Sequence, residues 1–115
     1  MEVINCKTHS LRKMGYPNLR AFLDASEKHV YIGRDMTHYV DGAVGSKWAN
    51  PFTLKRYNGD IKEVLRLYEE HVRGKPHLMA SLHELQGKIL ACWCKPEPCH
   101  GDVLMRLVAE TTGQA

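Results

Sequence analysis

The segment 88–102, Lys-Ile-Leu-Ala-Cys-Trp-Cys-Lys-Pro-Glu-Pro-Cys-His-Gly-Asp, constrains the fold more than any other part of the chain. An apolar run enters it and an amphipathic run leaves it. Pro96 and Pro98 lack amide donors and have a fixed φ, so residues 95–98 can continue neither a helix nor a central strand. The segment therefore reads as a strand over 88–94, a stiff connector, and a last helix over 102–110 with Val103, Leu104, Leu107 and Val108 on its apolar face. Strand alternation puts Ile89, Ala91 and Trp93 on one face and Leu90, Cys92 and Cys94 on the other. The connector brings Cys99 and His100 back toward the strand's carboxyl end, and Gly101 lets the backbone approach closely.

The rest of the chain alternates in the same way. Residues 3–6 are apolar-leaning and read as a first strand, and residues 29–34, His-Val-Tyr-Ile-Gly-Arg, as a second. Residues 7–26 are mixed. Pro17 suits the first position of a short helix carrying Leu19, Phe22 and Leu23. Residues 35–56 follow neither a helical nor a strand period and hold Gly42, Gly45 and Asn50-Pro51. They predict a long ordered loop, which in a compact domain is often functional. Asp60, with Glu63 three residues on, marks a capping box. Ile61, Val64, Leu65, Tyr68 and Val72 then share one helical face, and Gly74 closes it. Pro76 opens another helix that ends at Gly87. Strands alternating with helices predict an α/β fold: a small single-domain sheet over 1–115, mixed or mostly parallel, flanked by helices. In such folds, sites form at the carboxyl ends of the strands.

Bulk properties narrow the function classes. The 115 residues, 43% hydrophobic and 25% charged, suit one globular domain. No apolar run reaches the ~18–20 residues a bilayer span requires, and the N-terminus lacks a signal-peptide pattern. A cytoplasmic location without membrane contact is the expectation. Three of the four cysteines crowd into 92–99, unlike the spread of a secreted disulfide scaffold. A formal charge of +3 permits an anionic partner, and the absence of a basic run argues against a nucleic-acid arm.

The cysteine cluster admits three readings. Cys92, Cys94, Cys99 and His100 form a Cys₃His set of the kind that holds zinc. Yet C-x-C-x₄-C-H is not the usual pair of knuckles, and two strand cysteines lie ~6.6 Å apart at Cα. Alternatively, Cys99 at a helix start favours a thiolate, with His100 and Asp102 as acid–base partner and orienter. In the plainest reading the cysteines pack as small hydrophobes, Cys92 above all, and Asp102 complements the helix dipole. Arg34, ending a strand, suits a bidentate contact to a carboxylate or phosphate. Residues 42–52 mix glycines, Ser46, Lys47, Trp48 and Asn50, but lack Walker spacing. Lys47 and Asn50 are candidate ligand contacts, and His38 and Tyr39 are weaker ones.

Taken together, Tyr31-Ile32-Gly33-Arg34, Gly45-Ser46-Lys47-Trp48-Ala49-Asn50-Pro51-Phe52, Cys92-Trp93-Cys94-Lys95-Pro96 and Cys99-His100-Gly101-Asp102 resemble a domain-of-unknown-function family, DUF4326. The family occurs in bacteria, phages, large DNA viruses and some eukaryotes. The likeness covers residues 30–110 in order, and residues 7–28 look longer than its usual lead-in. It implies a small domain, often encoded by phages or viruses, and supplies no activity. The residues themselves point to an enzyme acting on a nucleotide, nucleoside or related phosphate-bearing small molecule. Arg34, Ser46, Lys47 and Asn50 would bind it, and Cys99, His100 and Asp102 would act on it. The alternative is a zinc-binding interaction module without catalysis, and a weaker third option is a nucleic-acid-binding accessory protein.

Overall fold

The computed structural model describes residues 1–111. Its sheet has strands β1 (Glu2–Asn5), β2 (His29–Tyr31) and β3 (Ile89–Cys92) in the order β1-β3-β2, and both pairings are parallel. β3 is therefore the central strand. Leu90, Ala91 and Cys92 are fully buried, as an apolar run covered on both faces requires. The register sets Val3 and Val30 beside Leu90, and Ile4 and Tyr31 beside Ala91. The strands are shorter than the sequence suggests, but single ladder bonds extend two of them. Cys6 N–H donates to the Cys92 carbonyl (2.8 Å), and Ile32 N–H donates to the Ala91 carbonyl (3.0 Å).

Helices cover both faces. α1 (Thr8–Lys13) and α2 (Leu19–Ala25) connect β1 to β2 and place Leu11, Leu19 and Phe22 against Tyr31 and Ala91. α3 (Ile61–Arg73), α4 (Pro76–Ser81), a 3₁₀ turn (Leu82–Leu85) and α5 (His100–Thr111) cover the other face, with Tyr68, Leu82 and Leu104 packed against Leu90 and Cys92. The path from β1 to β2 passes over β3, and the path from β2 to β3 returns. Crossovers of one hand must then lie on opposite faces, as they do.

Two local expectations are corrected. α1 carries only one buried residue, Leu11, so its weak apolar period hides it in the sequence. Pro17 precedes α2 instead of opening it. The cap is Asn18, whose side chain accepts from Ala21 N–H at 2.8 Å. The clearest expected helix forms as read: Asp60 accepts from Glu63 N–H at 3.1 Å, and Val64, Tyr68 and Val72 are buried. Pro76 sits in the first turn of α4. α5 starts at His100, two residues before Asp102, so the last helix takes in most of the Cys-His-Gly-Asp run.

Gly101 is what allows α5 to start against the sheet. A Cβ there would lie 2.8 and 2.9 Å from the two Val3 methyls and 3.1 Å from Ile32 Cδ1. The N-terminus of α5 is thus seated against Val3 of β1 and against Ile32, just past the end of β2.

Candidate functional site

The β3–α5 connection is held by its own residues. The Lys95–Pro96 peptide bond is cis. Asp102 accepts from Cys99 N–H (3.0 Å), and its own N–H donates to the Cys99 carbonyl (2.9 Å), a reciprocal cap. Its other carboxylate oxygen pairs with Lys95 Nζ at 2.5 Å. From β1, the Asn5 side chain donates to the Lys95 carbonyl. Every strong contact of Asp102 therefore fixes the connector, which makes it a positioning residue in this arrangement.

These contacts converge three sulfurs. Cys92 Sγ and Cys99 Sγ lie 2.9 Å apart, and Cys94 is within hydrogen-bonding reach of both. Cys92 and Cys99 are buried, whereas Cys94 is exposed. Hydrogen bonds from Cys94 and then Cys99 pull the Cys92 thiol far below the ordinary thiol range, despite its burial. The same bonds push Cys94 and Cys99 upward. Cys92 is thus the sulfur toward which the other two thiols donate, and Gly101 N–H donates to Cys99 Sγ at 3.3 Å. Cys6, at the end of β1, adjoins the group from the other side of the sheet. Burial, reinforced by Cys92, lifts its thiol to about 12.

His100 completes this wall, and its tautomer follows from its neighbours. It is 6% exposed, and Nε2 lies 2.8 Å from the Ile32 carbonyl, which can only accept. Nε2 therefore carries the proton, and Nδ1 is left with a lone pair 3.7 Å from Cys99 Sγ. Burial lowers the pKa of the ring and keeps it neutral, against weaker opposing contributions from the Ile32 carbonyl and Cys92. Cys99 donates its one proton to Cys92, so His100 Nδ1 stands beside it as a second acceptor, a neutral base of the kind that activates a nucleophilic cysteine.

The facing wall is the long connection over residues 32–60, which contains no helix or strand. Arg34 staples it. Its Nε donates to the Asn50 carbonyl (2.8 Å) and Nη2 to the Phe52 carbonyl (3.2 Å), which uses two of its five N–H donors. Asn50 Oδ1 accepts from Phe52 N–H at 2.9 Å. Buried Tyr68 of α3 donates to the Trp48 carbonyl at 2.6 Å and ties the loop to the core. Gly33 is required where the loop leaves β2, since a Cβ would fall 2.4 Å from Tyr31 Oη. That hydroxyl donates to the Arg34 carbonyl (2.6 Å) and accepts from Trp93 Nε1 (2.8 Å), linking the two walls.

Between the walls lies a cavity of about 340 Å³. Arg34, Asn50 and Phe52 line it from one side, and Cys94, Cys99 and His100 from the other. Six residues read from the sequence as site candidates do not line it, the weaker candidates His38 and Tyr39 among them. Cys92 lies behind Cys99, and Asp102 opens onto a more open groove beside Arg106. Ser46 Oγ accepts from Trp48 N–H (3.0 Å). Lys47 pairs with Glu84 (2.6 Å) and lies over the Trp48 ring, 5.4 Å from its centroid. Conversely, Met36, Leu54, Leu65 and Trp93 line the cavity without having been singled out. Leu65 lies on an apolar helical face, where core and cavity lining look alike in sequence. Met36 and Leu54 lie in a segment without period, which offers no such signal.

A parallel α/β domain with a Cys-His-Gly-Asp helix start opposite a Gly-Arg loop defines the class. The chain belongs to the family described as "Domain of unknown function (DUF4326)", whose model matches residues 20–110. It is 35% identical over 86 residues to "Uncharacterized protein R718" of Acanthamoeba polyphaga mimivirus, a match covering 68% of this chain and 65% of that protein. It is 52% identical over 80 residues to the "Uncharacterized 12.4 kDa protein in nrdA-td intergenic region" of Enterobacteria phage T4, covering 70% of this chain and 65% of that protein. The chain thus spans just under two thirds of each relative's length. No solved structure matches it. Among the described residues no helix is long and apolar enough to cross a membrane.

Proposed function

We propose that the chain is a thiol-dependent enzyme acting on a nucleotide, nucleoside or related phosphate-bearing small molecule held between the two walls. The observation that carries this reading is the Cys99–His100 pair: a buried imidazole with its lone pair toward a sulfur at the floor of an open cavity. Phe52, Leu65 and Trp93 offer flat or apolar surface to a base, and Arg34 offers its remaining donors to an anion at the rim. A volume of about 340 Å³ is at the small end for a ligand pocket and suits a nucleoside-sized molecule. Cys94 is the sulfur that reaches such a ligand. As it bonds to an electrophilic carbon, its proton passes to the Cys92 thiolate, to which it already hydrogen-bonds. Once Cys92 holds that proton, the Cys99 S–H can turn to the His100 Nδ1 lone pair, and Asp102 holds the helix start in place.

The test is protection of Cys94 from alkylation, read by peptide mass spectrometry, with nucleosides, nucleoside monophosphates and inorganic phosphate supplied separately. Protection by a monophosphate, weakened about tenfold by Arg34→Ala, is the expected result. Equal alkylation with every compound at millimolar concentration sinks the proposal.

The convergence of three sulfurs also supports a second reading, a zinc-binding interaction module. Two thiolates on a tetrahedral zinc sit about 3.8 Å apart, so Cys92 and Cys99 at 2.9 Å would have to part. His100 would also have to turn toward the ion through Nδ1. Among the described residues no group of three or more His, Cys, Asp or Glu side chains is arranged to hold a metal as placed. Metal analysis of protein purified without added metal decides this reading: stoichiometric zinc whose removal unfolds the chain supports it, and metal-free folded protein rejects it.

A further inference from the structure

The three sulfurs differ in access as well as charge, and that difference has a chemical consequence. Cys94 is exposed at the cavity, while Cys99 is 1% and Cys92 0% exposed beneath it. Cys92 Sγ and Cys99 Sγ, at 2.9 Å, are within 1 Å of covalent separation, and both cysteines are free. Cys92 ends β3 and Cys99 precedes α5, so the pair joins two elements already packed together. An exposed thiol in reach of two buried sulfurs has the access and the resolving partner of an oxidation-sensitive cysteine, with Cys92 placed to take its proton as it reacts.

We propose that Cys94 is an oxidation site for peroxides and that the oxidising equivalent passes inward to a reversible Cys92–Cys99 disulfide. The steps balance. The Cys94 sulfur attacks one oxygen of hydrogen peroxide, the O–O bond breaks, and Cys94 sulfenic acid and water form. The Cys99 thiol attacks the sulfur of that sulfenic acid, an S–S bond forms, and the hydroxyl leaves as water with the Cys99 proton. The Cys92 thiolate then attacks Cys99 Sγ, the Cys94–Cys99 bond breaks, and Cys94 leaves as a thiolate, so the negative charge moves from Cys92 to Cys94. Two thiols have been oxidised to one disulfide, and one peroxide has been reduced to two waters. A dithiol reductant reverses the change. The disulfide removes Cys99 from His100 Nδ1 and the thiolate from beneath Cys94. It would therefore silence the thiol chemistry proposed above; that consequence rests on the enzyme reading, whereas formation of the disulfide does not.

The experiment treats the reduced full chain with equimolar hydrogen peroxide, blocks remaining thiols by alkylation, and maps the peptides by mass spectrometry. The expected product has lost two hydrogens, retains Cys6 and Cys94 as alkylatable thiols, and links Cys92 to Cys99. Cys94→Ser, an exposed substitution that leaves the core intact, slows that linkage about tenfold or more. Circular dichroism verifies its fold. Cys92→Ser stops the transfer at a Cys94–Cys99 disulfide. Four free thiols after treatment, Cys94 over-oxidised to sulfinic acid while Cys92 and Cys99 stay reduced, or an unchanged rate in Cys94→Ser each overturns the proposal. Wild-type mapping alone decides the linkage if the Cys92 variant does not fold. Failure of nucleotide protection with an intact Cys92–Cys99 linkage rejects the enzyme reading and leaves this one standing.

Discussion

The β3–α5 connection spans residues 93–99 and the β2–α3 connection spans residues 32–60, yet they form facing walls of one cavity. The short one is held from within by the Cys99–Asp102 cap and the Lys95–Asp102 pair, with Asn5 and Tyr31 reaching it from the two neighbouring strands. The long one is held by distant groups, Arg34 to the Asn50 and Phe52 carbonyls and Tyr68 to the Trp48 carbonyl. In the short wall most chemistry-bearing side chains face the site or support it directly. In the long wall, Ser46 caps the loop's own backbone, Lys47 is held by Glu84 of the 3₁₀ turn, and of the four polar residues read as binding candidates only Arg34 and Asn50 line the cavity. A short connector between two fixed elements has few ways to place its side chains. A long loop must satisfy its own backbone first, and polar side chains are consumed in doing so.

Five changes test how the two walls are held. The largest effect belongs to Gly101→Val. With the Val3 methyls 2.8 and 2.9 Å from any Cβ, the helix start must lift off the sheet. A loss of about 3 kcal/mol in urea unfolding is expected, and a near-neutral result would show that the short wall is not seated as described. Tyr68→Phe comes next. It strands the Trp48 carbonyl beneath the loop and costs about 2 kcal/mol by the same measurement. Near-wild-type stability there would mean that the long wall is anchored elsewhere.

Third is the pH response of His100. Its imidazole is held below the ordinary 6.5 by burial, so as pH falls the unfolded chain takes up the proton first. The stabilisation is full above about pH 6.5 and is lost on acidification below it, at up to about 1.4 kcal/mol per pH unit. Urea melts at about pH 7.5 and about pH 5.5 should show this slope, reduced in His100→Asn. The idea fails if both proteins lose stability equally on acidification.

Fourth, Asp102→Asn keeps an oxygen for the Cys99 cap and removes only the charge facing Lys95. With the Asp102 side chain 42% exposed, solvent screening leaves about 0.5 kcal/mol, which added salt should erase. The smallest effect is that of Lys47→Ala. The unfolding midpoint and the nucleotide protection of Cys94 both stay at wild-type values, because Lys47 faces Glu84 and not the cavity. Loss of protection in that variant would return Lys47 to the binding wall.

Legibility in the sequence divides along the same line. The two prolines and the alternation of 89–94 predict the strand, the connector and the shared face of Leu90 and Cys92, and the core division agrees residue by residue. The Asp60 cap and its 3.6-residue apolar period predict α3 for the same reason: these signals act within one or two turns of chain. α1 escapes notice because one buried leucine makes no period. In the loop, Lys47 and Arg34 are both cations beside glycines, and nothing local distinguishes the one that meets Glu84 from the one that staples Asn50 and Phe52.

Local signals along the chain are thus enough for an α/β fold, membership of DUF4326 and a thiol-bearing turn at a strand end. Patterns of apolarity, proline and capping residues are local and survive without a partner. Only the tertiary structure decided that Cys6 joins the other cysteines from across the sheet, that His100 is protonated on Nε2, and that Leu65 and Trp93 line a cavity. Each of those facts depends on a group far along the chain: Cys92 for Cys6, the Ile32 carbonyl for His100, the opposite wall for Leu65 and Trp93. The order β1-β3-β2, which inserts the last strand between the first two, is what makes those groups neighbours.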